Sequence, residues 1–174
     1  VPTAPAVPTV ASTTQPTCAV GSGTIVFTAQ AGVEYSVNNG TTYQALPTFA
    51  GLAPGTYNLR VRSIADNTCS TPAASTVTIN AVPTAPAVPT VAGTVQPTCA
   101  VPTGTITFAA QAGVEYSVGS GFQASPIFAN LAPGTYTLTV RSISDNTCST
   151  VAASTVTIDA VPTAPAAPVA SVTV

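Results

Sequence analysis

The sequence predicts an all-β chain of two tandem domains, and three observations support this. Residues 82–160 repeat residues 1–81 without Thr41 and Thr42, and 62 of 79 aligned positions are identical. Apolar and polar residues alternate at a period of two, which is typical of strands that place one face on a core. No segment keeps a helical period, and β-branched residues dominate the candidate strands. Each copy is therefore expected to fold as its own β domain.

The phrase "VPTAPAVPT" divides the chain into segments. It begins at Val1, recurs at Val82 and starts again at Val161 as "VPTAPAAP". Its prolines exclude a helix interior or a central strand but permit polyproline II or an edge strand. Residues 1–15 are predicted to be a proline-rich linker or edge strand, and residues 16–81 are the first repeat. Residues 82–96 are a second linker, and residues 97–160 are the second repeat. Residues 161–174 are the start of a further linker or repeat. The partial third phrase predicts that more copies follow, on this chain or another.

Four segments of the first copy read as strands with one inward face. The predicted inward residues of "GTIVFTA", "VEYSV", "TYNLRVR" and "STVTIN" are Ile25, Phe27, Ala29, Val33, Tyr35, Val37, Tyr57, Leu59, Val61, Val77 and Ile79. The second copy keeps all of them. Its changes in these segments fall on the predicted outward faces, at Val26, Thr28, Asn58, Arg60 and Asn80.

The motif "LAPGTY" refines the predicted fold. It ends at Tyr57 in the first copy and at Tyr136 in the second. Pro-Gly favours a turn, and a tyrosine that follows it can return its hydroxyl to the upstream backbone, as in the tyrosine corner of immunoglobulin-like domains. We therefore expect two immunoglobulin-like Greek-key β-sandwiches with structural tyrosine corners at these residues.

The few charged residues predict one cross-strand ion pair in each copy. In the expected sandwich, Glu34 lies on the strand beside that of Arg62, and Glu115 lies beside Arg141. Such pairs at a surface contribute below about 1 kcal/mol. We therefore assign these residues a structural role and no catalytic one.

Each copy contains an early and a late cysteine: Cys18 and Cys69, then Cys99 and Cys148. Without histidine or CxxC spacing, disulfides are favoured over zinc or redox chemistry. Bonds within each copy are predicted, and closing a loop of about 50 residues stabilises a domain by roughly 4 kcal/mol. If "TVAST" is instead the first strand, Cys18 lies at the opposite end from Cys69. It can then meet Cys148 of the following domain, which joins module to module or subunit to subunit. Both arrangements require an oxidising, extracellular location.

Composition argues against several classes of function. Only 5% of residues are charged, with no lysine or histidine and a net charge of -2. This gives no basic field for nucleic acid, no general base and no paired carboxylates, and no apolar run approaches a membrane span. One acid per loop, at Asp66 or Asp145, is too few for calcium. We therefore expect no enzyme, cofactor, metal site, nucleic-acid partner or membrane insertion. The only candidates for a sugar-binding surface are Tyr43 and Phe122, and packing in the core or against a turn is the favoured role for both.

The segments "PTCAVPTGTITF", "VEYSVNNGTTYQ", "FAGLAPGTYNLRVRS" and "DNTC" together resemble the SprB-type repeat of large Bacteroidota surface adhesins, which include gliding-motility adhesins. The resemblance covers roughly residues 16–81 and 97–160. It implies a cell-surface structural protein whose partners are further copies of the repeat. We expect a segment of an adhesin shaft or a self-assembling extracellular filament; the alternative is a module that binds a carbohydrate or receptor.

Overall fold

A computed structural model describes residues 3–167 of the chain. The chain divides into two compact units, Val1–Thr84 and Ala85–Val174. The regular structure of the described residues consists of β-strands, so the all-β prediction is confirmed. Within them, no helix is long and apolar enough to span a membrane.

Both units contain the same series of strands. Those of the first unit are β1 (Val10–Thr14), β2 (Gly23–Phe27), β3 (Val33–Ser36), β4 (Thr48–Leu52), β5 (Gly55–Tyr57), β6 (Arg60–Ser63), β7 (Ser70–Pro72) and β8 (Val77–Ile79). Those of the second are β9 (Val91–Val95), β10 (Gly104–Phe108), β11 (Val114–Ser117), β12 (Ile127–Leu131), β13 (Gly134–Tyr136), β14 (Thr139–Ser142), β15 (Ser149–Val151) and β16 (Val156–Ile158).

The strands of each unit pair into small antiparallel sheets. In the first unit the orders are β1-β2-β4, β3-β6-β7 and β5-β8. In the second unit they are β9-β10-β12, β11-β14-β15 and β13-β16. The two units therefore have the same strand pairing.

One apolar core fills each unit, contributed by alternate residues of strands in different sheets. The core of the first unit comprises Ile25, Phe27, Val33, Tyr35, Val37, Leu59, Val61 and Ile79. Its aromatic rings contact one another, with the centroids of Phe27 and Tyr35 5.0 Å apart. Tyr57 and Val77, also predicted to face inward, are half-buried against this cluster.

Two details of the predicted strands differ in the structure. Ala29 is exposed, because β2 ends at Phe27 and the chain then turns toward β3, with Gly32 at a φ of 69°. "TYNLRVR" is two strands, because the chain leaves one sheet after Tyr57 and joins another at Arg60. Leu59 and Val61 nevertheless remain buried, as their alternation predicts.

The proline phrase is bound to the repeat that follows it. The Pro5 carbonyl accepts a hydrogen bond from the Thr71 hydroxyl at 2.7 Å, and the Pro86 carbonyl accepts one from Thr150 at 2.7 Å. The strand that follows the phrase in the first unit, β1, lies at a sheet edge. Of the predicted final segment, 161–174, residues 168–174 lie outside the described part of the chain.

Candidate functional site

The four cysteines differ in their bonding state. Cys18 and Cys148 are disulfide-bonded, whereas Cys69 and Cys99 have free thiols. The predicted bonds within each copy, Cys18 with Cys69 and Cys99 with Cys148, are therefore wrong. The reason is the position of the first strand: "TVAST" contains β1, so Cys18 follows β1 at the opposite end of the unit from the β6–β7 loop that carries Cys69.

The early cysteine of each repeat lies where the chain leaves that repeat. The sulfur of Cys18 is 3.2 Å from the carbonyl oxygen of Pro83, which belongs to the next proline phrase. The thiol of Cys99 lies in the same way 3.1 Å from the carbonyl oxygen of Pro162. The side chain of Gln15 fixes this end by accepting a hydrogen bond from the Asn80 amide at 2.8 Å, just after β8.

The late cysteine lies at the other end, where the chain enters the repeat. The carbonyl of Cys69 accepts a hydrogen bond from the Ser63 amide at 2.9 Å, which closes the β6–β7 loop. Two residues further, Thr71 binds the carbonyl of Pro5 in the entering proline phrase. The loop of Cys148 has the same closure, with the Ser142 amide donating to its carbonyl at 2.9 Å.

Asp66 is the charged residue beside Cys69. Its carboxylate accepts hydrogen bonds from the Thr68 hydroxyl at 2.6 Å and the Thr68 amide at 3.0 Å, and these bonds lower the pKa of Asp66. Desolvation raises the pKa of the Cys69 thiol, and the negative charge of Asp66, with an oxygen 3.6 Å from the sulfur, raises it further. Cys69 is therefore mostly protonated near neutral pH, which slows its reactions as a nucleophile.

The predicted corner tyrosines bind the backbone of their own turns. The Tyr57 hydroxyl donates to the carbonyl of Ala53 at 2.7 Å, and Tyr136 donates to Ala132 at 2.7 Å. Tyr35, which its alternation predicts only to face the core, also binds backbone. The buried Tyr35 hydroxyl accepts a hydrogen bond from the Gln30 amide at 2.6 Å and fixes the β2–β3 loop. A tyrosine at an inward position next to a loop is a signal for such a bond, since a buried hydroxyl needs a partner.

The predicted ion pairs join neighbouring strands. Glu34 lies opposite Arg62 in the register of β3 and β6, and their side chains approach to 2.7 Å; Glu115 and Arg141 approach to 2.8 Å. These side chains are 27–29% exposed, so the pairs lie at the surface.

The guanidinium groups of the same two pairs cover the aromatic rings considered for sugar binding. The Arg62 guanidinium carbon lies 4.1 Å from the ring centroid of Tyr43, and that of Arg141 lies 4.0 Å from the ring centroid of Phe122. Both rings are half-buried. One face of each ring is therefore occupied by a cation.

A small cleft in the first unit offers little chemistry. Its volume is about 350 Å³, and its lining includes Val7, Leu59 and Val77 but no charged residue. The hydroxyl groups of Thr9, Thr13 and Ser75 can form hydrogen bonds, but the lining supplies no charged group to orient an ionic ligand. The cleft therefore identifies no substrate.

Comparison with known proteins gives no family assignment. No protein-family model matches the chain, and no curated protein has significant similarity to it. Function is therefore inferred from the repeats and from the environments of their side chains.

Proposed function

We propose that this chain is a structural repeat segment of an extracellular filament or adhesin shaft. The observation that carries the proposal is the distribution of the differences between the repeats. None of the 17 positions that differ is buried in either copy, while every core residue is kept. Near-identical domains with independent cores add length when they are joined in series. A binding tip requires a single specialised surface, and duplication does not favour one.

The proposal includes an immunoglobulin-like Greek-key sandwich for each unit. The three-stranded sheets β1-β2-β4 and β3-β6-β7 contribute to one core. The hydroxyl of Tyr57 binds the backbone four residues upstream, at Ala53, before the chain enters β6. Both features are expected of such a sandwich. The quoted SprB-like segments add the expectation of a surface adhesin.

The proline phrases support a stiff shaft. The phrase before each repeat is hydrogen-bonded to that repeat through Pro5 or Pro86, which shortens the free joint between domains. Proline also restricts the remaining backbone to extended conformations. The backbone of each proline phrase is therefore expected to be extended.

The proposed location is the cell surface, and the proposed partners are further copies of the repeat. A disulfide at Cys18 and Cys148 requires an oxidising compartment. Sparse charge lowers the desolvation cost of packing one copy against another, which also suits a polymerising subunit.

The alternative function, a carbohydrate- or receptor-binding module, receives less support. Sugar rings stack on open aromatic faces, and the faces of Tyr43 and Phe122 are each covered on one side by an arginine. If glycan binding is found and Tyr43→Ala abolishes it, the binding module replaces the shaft.

Two measurements test the shaft together. Antibodies raised against the 174-residue chain are applied to intact cells with gold labels for electron microscopy, and the mass of the reactive polypeptide is measured under reducing conditions. Labelling along surface filaments is expected. A mass of many repeats indicates a long adhesin, and one near 17.1 kDa indicates a polymerising subunit. Labelling confined to the cell interior or to filament tips contradicts the shaft.

A further inference from the structure

We propose that Cys69 and Cys99 are crosslinking sites for further copies of the repeat. In this arrangement the early cysteine of one repeat bonds to the late cysteine of the repeat that follows, which produces a continuous series of disulfides. The inference rests on the proposed function, since it requires repeats that follow one another in line. It adds a covalent site and identifies the occupant as a second copy of the repeat.

The first support is the equivalence of the four positions. Cys99 aligns with Cys18, which is bonded, and Cys69 aligns with Cys148, which is bonded. The bonded set thus contains one early cysteine from the first repeat and one late cysteine from the second. The remaining free thiols are the late cysteine of the first repeat and the early cysteine of the second. Each free cysteine therefore occupies a position whose counterpart in the other repeat is bonded.

The second support is the polarity of each repeat taken alone. Early cysteines lie beside the outgoing proline phrase, at Pro83 and Pro162. Late cysteines lie in the loop before the strand that binds the incoming phrase through Thr71 or Thr150. The outgoing end of one repeat continues into the incoming end of the next. When repeats follow one another in line, the early cysteine of one repeat therefore lies near the late cysteine of the next. Two early cysteines do not lie near each other.

The third support is the backbone hydrogen bonding of the cysteine loops, which is the same around bonded and free cysteines. The loop of Cys18 contains a hydrogen bond from the Thr17 amide to the Val20 carbonyl at 2.8 Å, and the loop of Cys99 contains its counterpart at 2.8 Å. The late cysteine loops share their closing bonds at 2.9 Å. The loops of the free thiols therefore have the same backbone hydrogen bonds as the loops of the bonded cysteines. Cys99 is exposed and Cys69 is half-buried, so both are accessible.

The bond forms by oxidation of two thiols with a small disulfide such as oxidised glutathione. The Cys99 thiolate attacks one sulfur of the oxidant, forms a mixed disulfide and expels one glutathione thiolate. The Cys69 thiolate of another copy then attacks the Cys99 sulfur and expels the second. Two protons and two electrons leave the cysteines, and the oxidant is reduced to two molecules of glutathione.

The test uses the 174-residue chain and the variants Cys69→Ser and Cys99→Ser, incubated in a glutathione redox buffer and separated by mass without reductant. The unmodified chain is expected to form a series of oligomers, and each variant alone is expected to remain monomeric. A mixture of the two variants, with one carrying a mass tag, is expected to form heterodimers and nothing larger. The double variant is the control for folding, which is monitored by circular dichroism.

Two outcomes contradict the crosslink. Either the mixture remains monomeric while its members are folded, or Cys69→Ser alone dimerises as well as the mixture, which indicates indiscriminate oxidation of an exposed thiol. These results leave the shaft intact if antibodies still label surface filaments. If the variants form heterodimers but antibodies never label the cell surface, the result would contradict the proposed shaft and still support the proposed crosslink.

Discussion

The two repeats have the same fold but opposite cysteine states. Tyr57 and Tyr136 make the same hydroxyl bond at 2.7 Å, and the two ion pairs differ by only 0.1 Å. Yet the first repeat has a bonded early cysteine and a free late one, and the second repeat has the reverse. A repeat therefore reaches its fold without an internal disulfide. The apolar core stabilises each domain, and the cysteines lie at the two ends of the domain.

The substituted positions show how the fold tolerates change. Gly51 adopts a φ of 69°, and its counterpart Asn130 adopts 57°, a conformation that asparagine accepts more readily than most residues. Arg60, which binds the Ser70 hydroxyl at 3.0 Å, is replaced by Thr139 on the same outward face. At these two positions the substitutions keep the backbone conformation or the outward face, and the core residues are unchanged.

The largest expected effect tests whether each repeat depends on its own core. Phe27→Ala and Phe108→Ala each remove a buried ring and should lower the free energy of unfolding of their own repeat by about 3–5 kcal/mol. Chemical denaturation followed by circular dichroism should then show one weakened transition and one unchanged. Thr28→Ala, which introduces the residue of the second copy, is the control. A loss below about 1 kcal/mol would show that the ring does not organise the core.

A smaller effect is expected at the corner tyrosines. Tyr57→Phe removes a hydroxyl that donates to a backbone carbonyl, and should cost about 1 kcal/mol in the first repeat. Tyr136→Phe should cost the same in the second. Tyr43→Phe, which matches Phe122, should leave the denaturation midpoint nearly unchanged. If Tyr57→Phe shifts the denaturation midpoint no more than Tyr43→Phe does, the hydrogen bond of the corner tyrosine does not contribute to stability.

The ion pairs are expected to contribute least. Glu34→Gln or Glu115→Gln should change the free energy of unfolding by less than about 1 kcal/mol, because both partners are partly exposed. The effect should shrink further in high salt. A loss above about 2 kcal/mol in either repeat, measured by denaturation, would instead indicate a buried pair.

The reactivity of Cys69 provides a comparison that depends on pH. The raised pKa of Cys69 means that alkylation by iodoacetamide should be slow near neutral pH and should accelerate as pH rises. Asp66→Asn removes a negative charge, which lowers the pKa and increases the thiolate fraction. Alkylation measured by mass spectrometry in the Cys99→Ser chain should therefore become faster. An unchanged rate would show that burial alone determines this pKa.

The sequence predicts the buried residues of each repeat better than it predicts the cysteine pairing at the ends of the repeat. Period-two alternation identifies Phe27, Leu59 and Val61 as buried, because side-chain direction along a strand follows local geometry. It fails at Ala29, where a turn ends the strand. The cysteine pairing depends on whether "TVAST" or "TCAV" forms the first strand. Both segments have β propensity, and only pairing with β2 distinguishes them.

The central claim is that neither repeat is closed by a disulfide of its own. Trypsin cleaves after Arg60, Arg62 and Arg141, which places Cys18 in peptide 1–60, Cys69 and Cys99 in 63–141 and Cys148 in 142–174. The chain, alkylated without reduction and before exposure to any oxidant, should yield peptide 63–141 without a crosslink and doubly alkylated. Crosslinks from 63–141 to both other peptides, without alkylation, would contradict the account.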